Sequence, residues 1–320
     1  MNLPLDFIRT VESTFGEDGK QLIANLPALV AKAARRWGLT DVRPVSNLSY
    51  NFVAFAKRAS TTWRLQRHAA QLDVVLKIGV PNRELTSQIA ALSLFNGEGA
   101  CRLIDCDEEK GFLLLERLQP GVMLARMEND EEATHIAAEL MLKIWRPGLD
   151  TLSADSYSTR DAKFIQLSNW FDGLKRLRAM FDGGTGPLNE KLVNRVERSV
   201  KDFLTENHKP VLMHGDFHHF NILSSERGWL VIDPKGVIGP AGYEVGPLLM
   251  NPWGDLLKAN NYRLMTKRRV DVLHERLGFA RERILEWGLA HAVLSAWWSI
   301  EDNTGWEYAV SFAEMIADLK

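Results

Sequence analysis

Three polar side chains stand at the ends of a short apolar pattern, VLMHGDFHHFNILSSERGWLVIDPKG, between Val211 and Gly236. Val211–Met213 is apolar, and His214-Gly215-Asp216 interrupts it. Phe220–Leu223 is apolar again, Glu226-Arg227-Gly228 reads as a turn, and Trp229–Ile232 ends at Asp233-Pro234. The pattern predicts strand, loop, strand, turn, strand, with Asp216, Asn221 and Asp233 at its ends. A carboxylate, an amide and a second carboxylate make a base and two oxygen ligands for a hard divalent ion. Phosphoryl transfer needs such a set: Asp216 would orient a hydroxyl and accept its proton, and Asn221 and Asp233 would hold Mg²⁺. The plainer alternative is a β-hairpin with polar loop residues. A zinc site at His214, His218 and His219 is a weaker one, because adjacent histidines on a strand-like segment point apart and no Cys lies nearby.

The spacing H-x-D-x-x-x-x-N matches the catalytic loop of protein kinases, and an Asp after the next strand matches the second metal ligand of that machinery. Such a loop requires a phosphate-binding lysine upstream. Leu72–Gly79 (LDVVLKIG) reads as a strand in which Lys77 stands among apolar residues. Lys77 there is costly unless anions meet its ammonium, and it fits the strand lysine that grips the α- and β-phosphates. A helix is expected from about Asn82 to Phe95, with one acid, Glu84, in its first turn. Glu84 is the candidate ion-pair partner of Lys77, or a carboxylate that merely favours a helix start. Between strands at Val42–Ser46 and Ser49–Ala56, Asn47-Leu48-Ser49 would cover the phosphates, with Ser49 the candidate contact. The turn lacks glycine, and a plain hairpin turn is the alternative. Strands at Cys101–Asp105 and Phe112–Glu116 lead to Glu116 and Leu118, where the chain leaves the sheet and backbone groups would meet adenine. The domain boundary falls there: 1–118, a helical extension with a nucleotide-binding sheet, and 119–320, a helical domain with the catalytic loop and acceptor site.

The flanking segments read as helices. Pro4 to about Gly38 repeats apolar residues on two faces, Phe7/Val11/Phe15 and Leu22/Leu26/Leu29. Asp130–Trp145, Ala162–Phe181 and Leu188–Asn207 precede the hairpin, and His274–Lys320 closes the chain. Thr61–Gln71 fits no pattern. The glycine cluster at 183–186 lacks a preceding strand and a following Lys-Ser/Thr, so it is a helix connection. Lys258, Arg263, Lys267, Arg268 and Arg269 read as a solvated helix face. Glu244 would either brace the catalytic loop by accepting backbone N–H bonds, meet the acceptor, or lie at the surface. Trp297, Trp298, Glu301, Asp302 and Trp306 suggest an acidic aromatic rim for a cationic sugar, with Glu301 and Asp302 as acceptor contacts. Core tryptophans beside exposed acids are the commoner case.

Composition sets outer bounds. The 320 residues are 46% hydrophobic and 25% charged with net charge −2, an ordinary globular profile without a nucleic-acid or membrane footprint. No apolar run approaches a membrane span and no leader pattern opens the chain, which predicts a cytoplasmic protein. Cys101 and Cys106 are the two cysteines. Five strand steps apart, they lie too far from each other to pair, as free thiols in a reducing compartment would.

LLLERLQPG (113–121), IAAELMLKIW (136–145), HGDFHHFNIL (214–223), GWLVIDPKG (228–236) and GPAGYEVGPLLMNP (239–252) resemble the aminoglycoside phosphotransferases, most closely their streptomycin 6-phosphotransferase and hydroxyurea phosphotransferase branch. The resemblance spans nearly the whole chain. It implies an α+β, two-lobed, protein-kinase-like fold, with ATP and Mg²⁺ and a small-molecule acceptor that is an alcohol or of hydroxylamine type. It makes Asp216 the base, Asn221 and Asp233 the metal ligands, Lys77 the phosphate lysine, Glu84 its partner and Lys235 a further phosphate contact. The alternatives are a kinase of an unidentified metabolite and a nucleotide-binding pseudokinase scaffold. The intact set of base and metal ligands speaks against the scaffold.

Overall fold

Apolar residues at helical spacing from Leu5 to Trp37 form one helix (α1, Leu5–Trp37) that is broken once, at Gly16, with φ 55° and ψ −126°. A residue with a Cβ resists that conformation, so the two apolar faces of the sequence meet at this glycine. The helix stops at Gly38, whose left-handed backbone returns its N–H to Ala34. The computed structural model describes residues 3–59, 71–147, 164–206, 209–252 and 261–319. The stretch from Thr61 that fits no pattern lies outside these residues as far as 70.

The chain forms two units. The first comprises Met1–Gly97 and Cys101–Leu118; the second comprises Glu98–Ala100 and Gln119–Lys320. The first holds α1, the strands β1 (Leu39–Pro44), β2 (Phe52–Ala59), β3 (Gln71–Ile78), β4 (Leu103–Asp107) and β5 (Phe112–Glu116), and helix α2 (Arg83–Phe95). The sheet order is β1-β2-β3-β5-β4, antiparallel throughout. Phe52, Ala54 and Ala56 of β2, Val74, Leu76 and Ile78 of β3, and Phe112 and Leu114 of β5 share one core with Phe7, Val11, Leu22, Leu26 and Trp37 of α1. Successive strand residues point to opposite faces, so Lys77, paired with Val53 and Leu113, belongs to the face that α1 leaves uncovered.

The second unit holds β6 (Pro120–Met123), α3 (Asp130–Ile144), β7 (Arg146–Pro147), β8 (Ile165–Gln166), α4 (Leu167–Phe171), α5 (Gly173–Met180), α6 (Glu190–Thr205), β9 (Val211–Met213), β10 (Ile222–Ser225), β11 (Gly228–Val231), β12 (Val237–Gly239), α7 (Val245–Met250), α8 (Tyr262–Leu277), α9 (Arg281–Glu301) and α10 (Glu307–Ala317). Two small sheets, β11-β10-β6 and β7-β9-β12-β8, carry the loop residues. α9 is its central helix, with Ile284, Trp287, Leu289, His291, Leu294 and Trp297 all buried. A helix apolar on most of its faces belongs inside a unit.

Several expectations change. The single helix over Ala162–Phe181 is replaced, among the described residues, by β8, α4 and α5. Ile165 and Gln166 pair in parallel with Val237 and Ile238 of β12, a strand that helical periodicity conceals. Gly173 opens α5 where a Cβ would lie 2.8 Å from the Trp297 ring. β6 does not leave pairing behind but joins β10. Arg269 is not on a solvated face. It is 2% exposed, bonds Asp130 and donates to the carbonyls of Leu248 and Asn251. Lys258 lies outside the described residues. Cys101 and Cys106 are free thiols.

Candidate active site

The loop from His214 to Asn221 is fastened at both ends. His214 is fully buried. Its Nε2 bonds the carbonyl of Ile232 at 2.8 Å, and its Nδ1 accepts the Asp216 N–H at 3.2 Å. One ring thus joins the residue before Asp233 to the backbone of Asp216. Burial lowers the imidazole pKa to about 4, so the ring stays neutral and can both donate and accept. The His214 carbonyl accepts from the N–H groups of Lys235 and Gly236, at 2.7 and 3.2 Å. Ile232 N–H reaches the Asn221 carbonyl at 2.9 Å. The backbone on both sides of Asp233 is therefore tied to the loop that carries Asp216 and Asn221. Asp233 itself has φ 59°, a left-handed conformation that Asp tolerates better than most residues.

Glu244 closes the arrangement from below. Its carboxylate is 0% exposed and accepts the N–H groups of His214 at 2.9 Å and Gly215 at 2.7 Å. Burial pushes its pKa up to about 8, against those two bonds, which favour the charged form. Gly215 has φ 89°, and a Cβ there would lie 2.4 Å from Val237 Cγ2 and 3.0 Å from the Trp170 ring. Both its conformation and the close approach require glycine.

Asp216 faces His218 and Asn221. Its Oδ1 lies 3.4 Å from His218 Nε2. Asn221 Nδ2 donates to the Asp216 carbonyl at 3.0 Å and approaches its Oδ2 at 3.5 Å. Burial works to raise the Asp216 carboxyl, but His218, Lys235 and His214 hold it well below the usual carboxylate range. The side chain is an ionised acceptor at neutral pH. Because Asn221 donates through Nδ2, its carbonyl oxygen is the end turned away from Asp216. His219–Asn221 is a short 3₁₀ turn closed by Asn221 N–H to the His218 carbonyl at 2.9 Å, and the strand starts at Ile222.

A model of the aminoglycoside/hydroxyurea antibiotic resistance kinases matches residues 47–303. The chain belongs to that kinase family. Streptomycin 6-kinase of Streptomyces glaucescens is 30% identical over 95% of this chain and 92% of its own length. Hydroxyurea phosphotransferase of Kitasatospora aureofaciens is 27% identical over 95% of this chain and 82% of its own. Among solved structures, an ethanolamine kinase of Plasmodium vivax has the same fold, with TM-score 0.60, 13% identity, and coverage of 88% of this chain and 82% of that one. The α+β kinase-like fold follows, and this family member is a phosphotransferase acting on the hydroxyl of a small molecule.

In this kinase the remaining candidates fall in distinct settings. Lys77 is 6% exposed, and its Nζ donates to Gln88 Oε1 at 2.8 Å. Gln88 lies one turn beyond Glu84 on α2, while Glu84 is exposed near the helix start. Gln88 was not singled out in the sequence, although i+4 spacing from Glu84 puts both on one helix face. Ser49 is exposed in the loop between β1 and β2. In the same loop region Asn51 approaches Gly79 so closely that a Cβ there would meet Asn51 Oδ1 at 2.1 Å. Glu116 ends β5 and accepts the Arg102 N–H at 3.0 Å; Leu118 is buried.

Of the acceptor candidates, Glu244 is enclosed and accepts two backbone N–H bonds of the loop, as its reading as a brace expected. Glu301 is held by Arg176 in a two-point bond of 2.7 and 2.9 Å, and Asp302 is exposed. Trp297 is buried, whereas Trp298 and Trp306 are half-buried. His218 was weighed only as a zinc ligand; its proximity to Asp216 needed the turn at His219–Asn221. Among the described residues no three His, Cys, Asp or Glu side chains gather into a metal-holding group. Nor is any described helix long and apolar enough to cross a membrane.

Proposed function

We propose that this kinase moves the γ-phosphate of ATP to a hydroxyl of a streptomycin-like aminoglycoside. The carrying observation is the Asp216 carboxylate, held ionised beside Asn221 on a loop fastened by His214 and Glu244. Asp216 is the base: it orients the acceptor hydroxyl and takes its proton as the oxygen attacks phosphorus. Asn221 and Asp233 are the ligands for Mg²⁺, an oxygen donor set that suits a hard ion completing its shell with water and phosphate. When bound, that ion neutralises charge on the transferring phosphate. Lys77 binds phosphate oxygens, oriented by Gln88. Glu116 and Leu118 contribute backbone groups to adenine, and the loop at Ser49 lies over the phosphates. Catalysis comes from positioning and electrostatics rather than a covalent intermediate. Use of ATP and the two free thiols support a cytoplasmic setting for the reaction.

The acceptor class rests on the relatives' names, streptomycin 6-kinase above all. The test is Asp216→Ala, assayed with ATP and Mg²⁺ over streptomycin, other aminoglycosides and hydroxyurea. The variant is expected to keep its thermal shift with Mg²⁺ and ATP while phosphorylation falls by about a thousandfold or more. Full turnover in the variant overturns the assignment of the base. Turnover of hydroxyurea alone by the wild type overturns the acceptor class.

A further inference from the structure

A small-molecule kinase must hold its acceptor beside the base, and the residues around Asp216 contain a group of rings that the phosphate chemistry leaves unused. Trp170 lies against the loop at Gly215, the residue before the base: a Gly215 Cβ would lie 3.0 Å from its Cη2. Trp170 meets Trp298 edge-on, with centroids 5.4 Å apart and planes at 86°, and meets Tyr243 at 5.7 Å. Trp298 in turn meets His291 at 6.3 Å. The depth of these rings differs. Tyr243 and His291 are buried, and Trp170 and Trp298 are half-buried. Trp170 and Trp298 thus each keep part of the ring accessible.

His291 adds a polar group to this wall. It is 6% exposed, and its Nδ1 bonds the Tyr243 hydroxyl at 3.0 Å. Among the described residues no hydrogen bond reaches its Nε2. Tyr243 and Trp298 both join His291 to Trp170, which lies against the loop at Gly215, next to the base. Small-molecule sites commonly combine an apolar aromatic wall with a few placed polar atoms. Indole edges and faces suit the hydrogen-clad face of a saturated ring, whose hydroxyls then project sideways.

We propose, on the basis of the kinase reading above, that Trp170, Trp298 and His291 form the acceptor subsite, and that it takes a ring-shaped polyol such as a cyclitol or sugar. The ring lies against the two indoles, His291 Nε2 hydrogen-bonds one hydroxyl, and a second hydroxyl reaches Asp216. Trp298 is the specificity-determining residue, since it borders both other members.

The experiment uses the full chain with streptomycin as probe. Steady-state kinetics and indole-fluorescence titrations are run on the wild type, Trp298→Ala, Trp298→Phe and His291→Gln, with thermal melts to verify folding. Streptomycin is expected to change wild-type fluorescence. Trp298→Ala is expected to raise the streptomycin KM about tenfold, with the KM for ATP within about twofold. Trp298→Phe, which keeps an aromatic face, recovers most of that loss, and it decides the matter if the alanine variant fails to fold. An unchanged streptomycin KM in both Trp298 variants, or a fall in kcat alone, overturns the subsite and leaves the kinase reading intact. Binding by equilibrium dialysis separates the two further. Streptomycin that binds the wild type, binds Trp298→Ala about tenfold more weakly and is never phosphorylated would sustain the subsite and overturn the acceptor assignment. Binding of neither streptomycin nor myo-inositol to the wild type overturns the subsite.

Discussion

Asp216 stands on a loop whose backbone is fastened by buried polar groups, whereas Lys77 stands on a strand whose position comes from apolar alternation. Around Asp216, His214 and Glu244 give their ring nitrogens, carboxylate oxygens and carbonyl to backbone partners. Around Lys77, Val74, Leu76 and Ile78 fill the core against α1, and the odd residue of that register is turned to the other face. The two solutions differ in what they tolerate. A sheet register survives exchange of one apolar side chain for another of similar volume. A buried polar network fails when one member is removed, because the partners left behind cannot find water. Damage to the loop should therefore appear in stability and kcat together, and damage near Lys77 chiefly in the handling of ATP.

Glu244→Ala gives the largest effect. It leaves the N–H groups of His214 and Gly215 buried without their acceptor, at roughly 1–3 kcal/mol each. Thermal melts should show a fall of several degrees, on the scale of about 2–4 °C per kcal/mol for a domain of this size. Phosphorylation should fall about a hundredfold, since small displacements of a base are costly. Glu244→Gln retains one acceptor and should lie between the two. The carboxyl also marks the pH dependence. Its pKa is raised from 4.5 to about 8 by burial, so between those values the native chain binds more protons than the unfolded one. That contribution is present in full below pH 4.5 and is lost as pH rises through about 8. Denaturant unfolding from pH 5 to 9 should show this decline in the wild type and its absence in Glu244→Gln. His214, lowered to about 4, acts with opposite sign: its contribution is present above pH 6.5 and is lost on acidification toward 4. If Glu244→Ala matched the wild type in stability and rate, the contrast between loop and strand would collapse.

How much of each region was legible follows from the same contrast. Lys77 was readable because its charge breaks the apolar run VVLKIG, and alternation then assigns its face. Asp216, Asn221 and Asp233 were readable because they interrupt strands at a spacing the chemistry demands. What held them was not. His214 looks like a loop residue until Ile232 and Asp216 bracket its ring. β8 and β12 are two and three residues long, too short for periodicity, and exist because they pair with each other and with β9. Arg269 sits in a basic run, and only Asp130, 139 positions away, reveals that it is buried. The kinase pattern pointed to Glu84 as the partner of Lys77, and nothing in that pattern marks Gln88, whose Oε1 accepts from the ammonium.

That last pair provides a test of intermediate size. Gln88→Ala removes a buried acceptor from a charged donor, an interaction of about 1.5–3 kcal/mol. The KM for ATP is expected to rise about tenfold, with the streptomycin KM within twofold. Glu84→Ala, at an exposed position, should change the KM for ATP by less than about twofold. The reverse ranking would make Glu84 the residue that matters to the handling of ATP.

The smallest effect is expected at Ser49, and it sharpens the comparison where the strand region is least constrained. The loop between β1 and β2 has no glycine between 45 and 51, so its backbone cannot approach a phosphate as freely as a glycine-rich turn does. Two kinds of contact are then open to it: main-chain N–H groups at ordinary separation, or the Ser49 hydroxyl itself. The side chain is exposed, and Leu48 beside it packs onto the core shared with α1, which anchors the backbone independently of the hydroxyl. Ser49→Ala should accordingly alter the KM for ATP by less than about twofold, within the range of ordinary surface substitutions. A rise of about tenfold would mean that the hydroxyl is a phosphate ligand in its own right. The loop would then resemble the Asp216 region after all, with a specific polar bond doing what backbone geometry alone does elsewhere in the sheet.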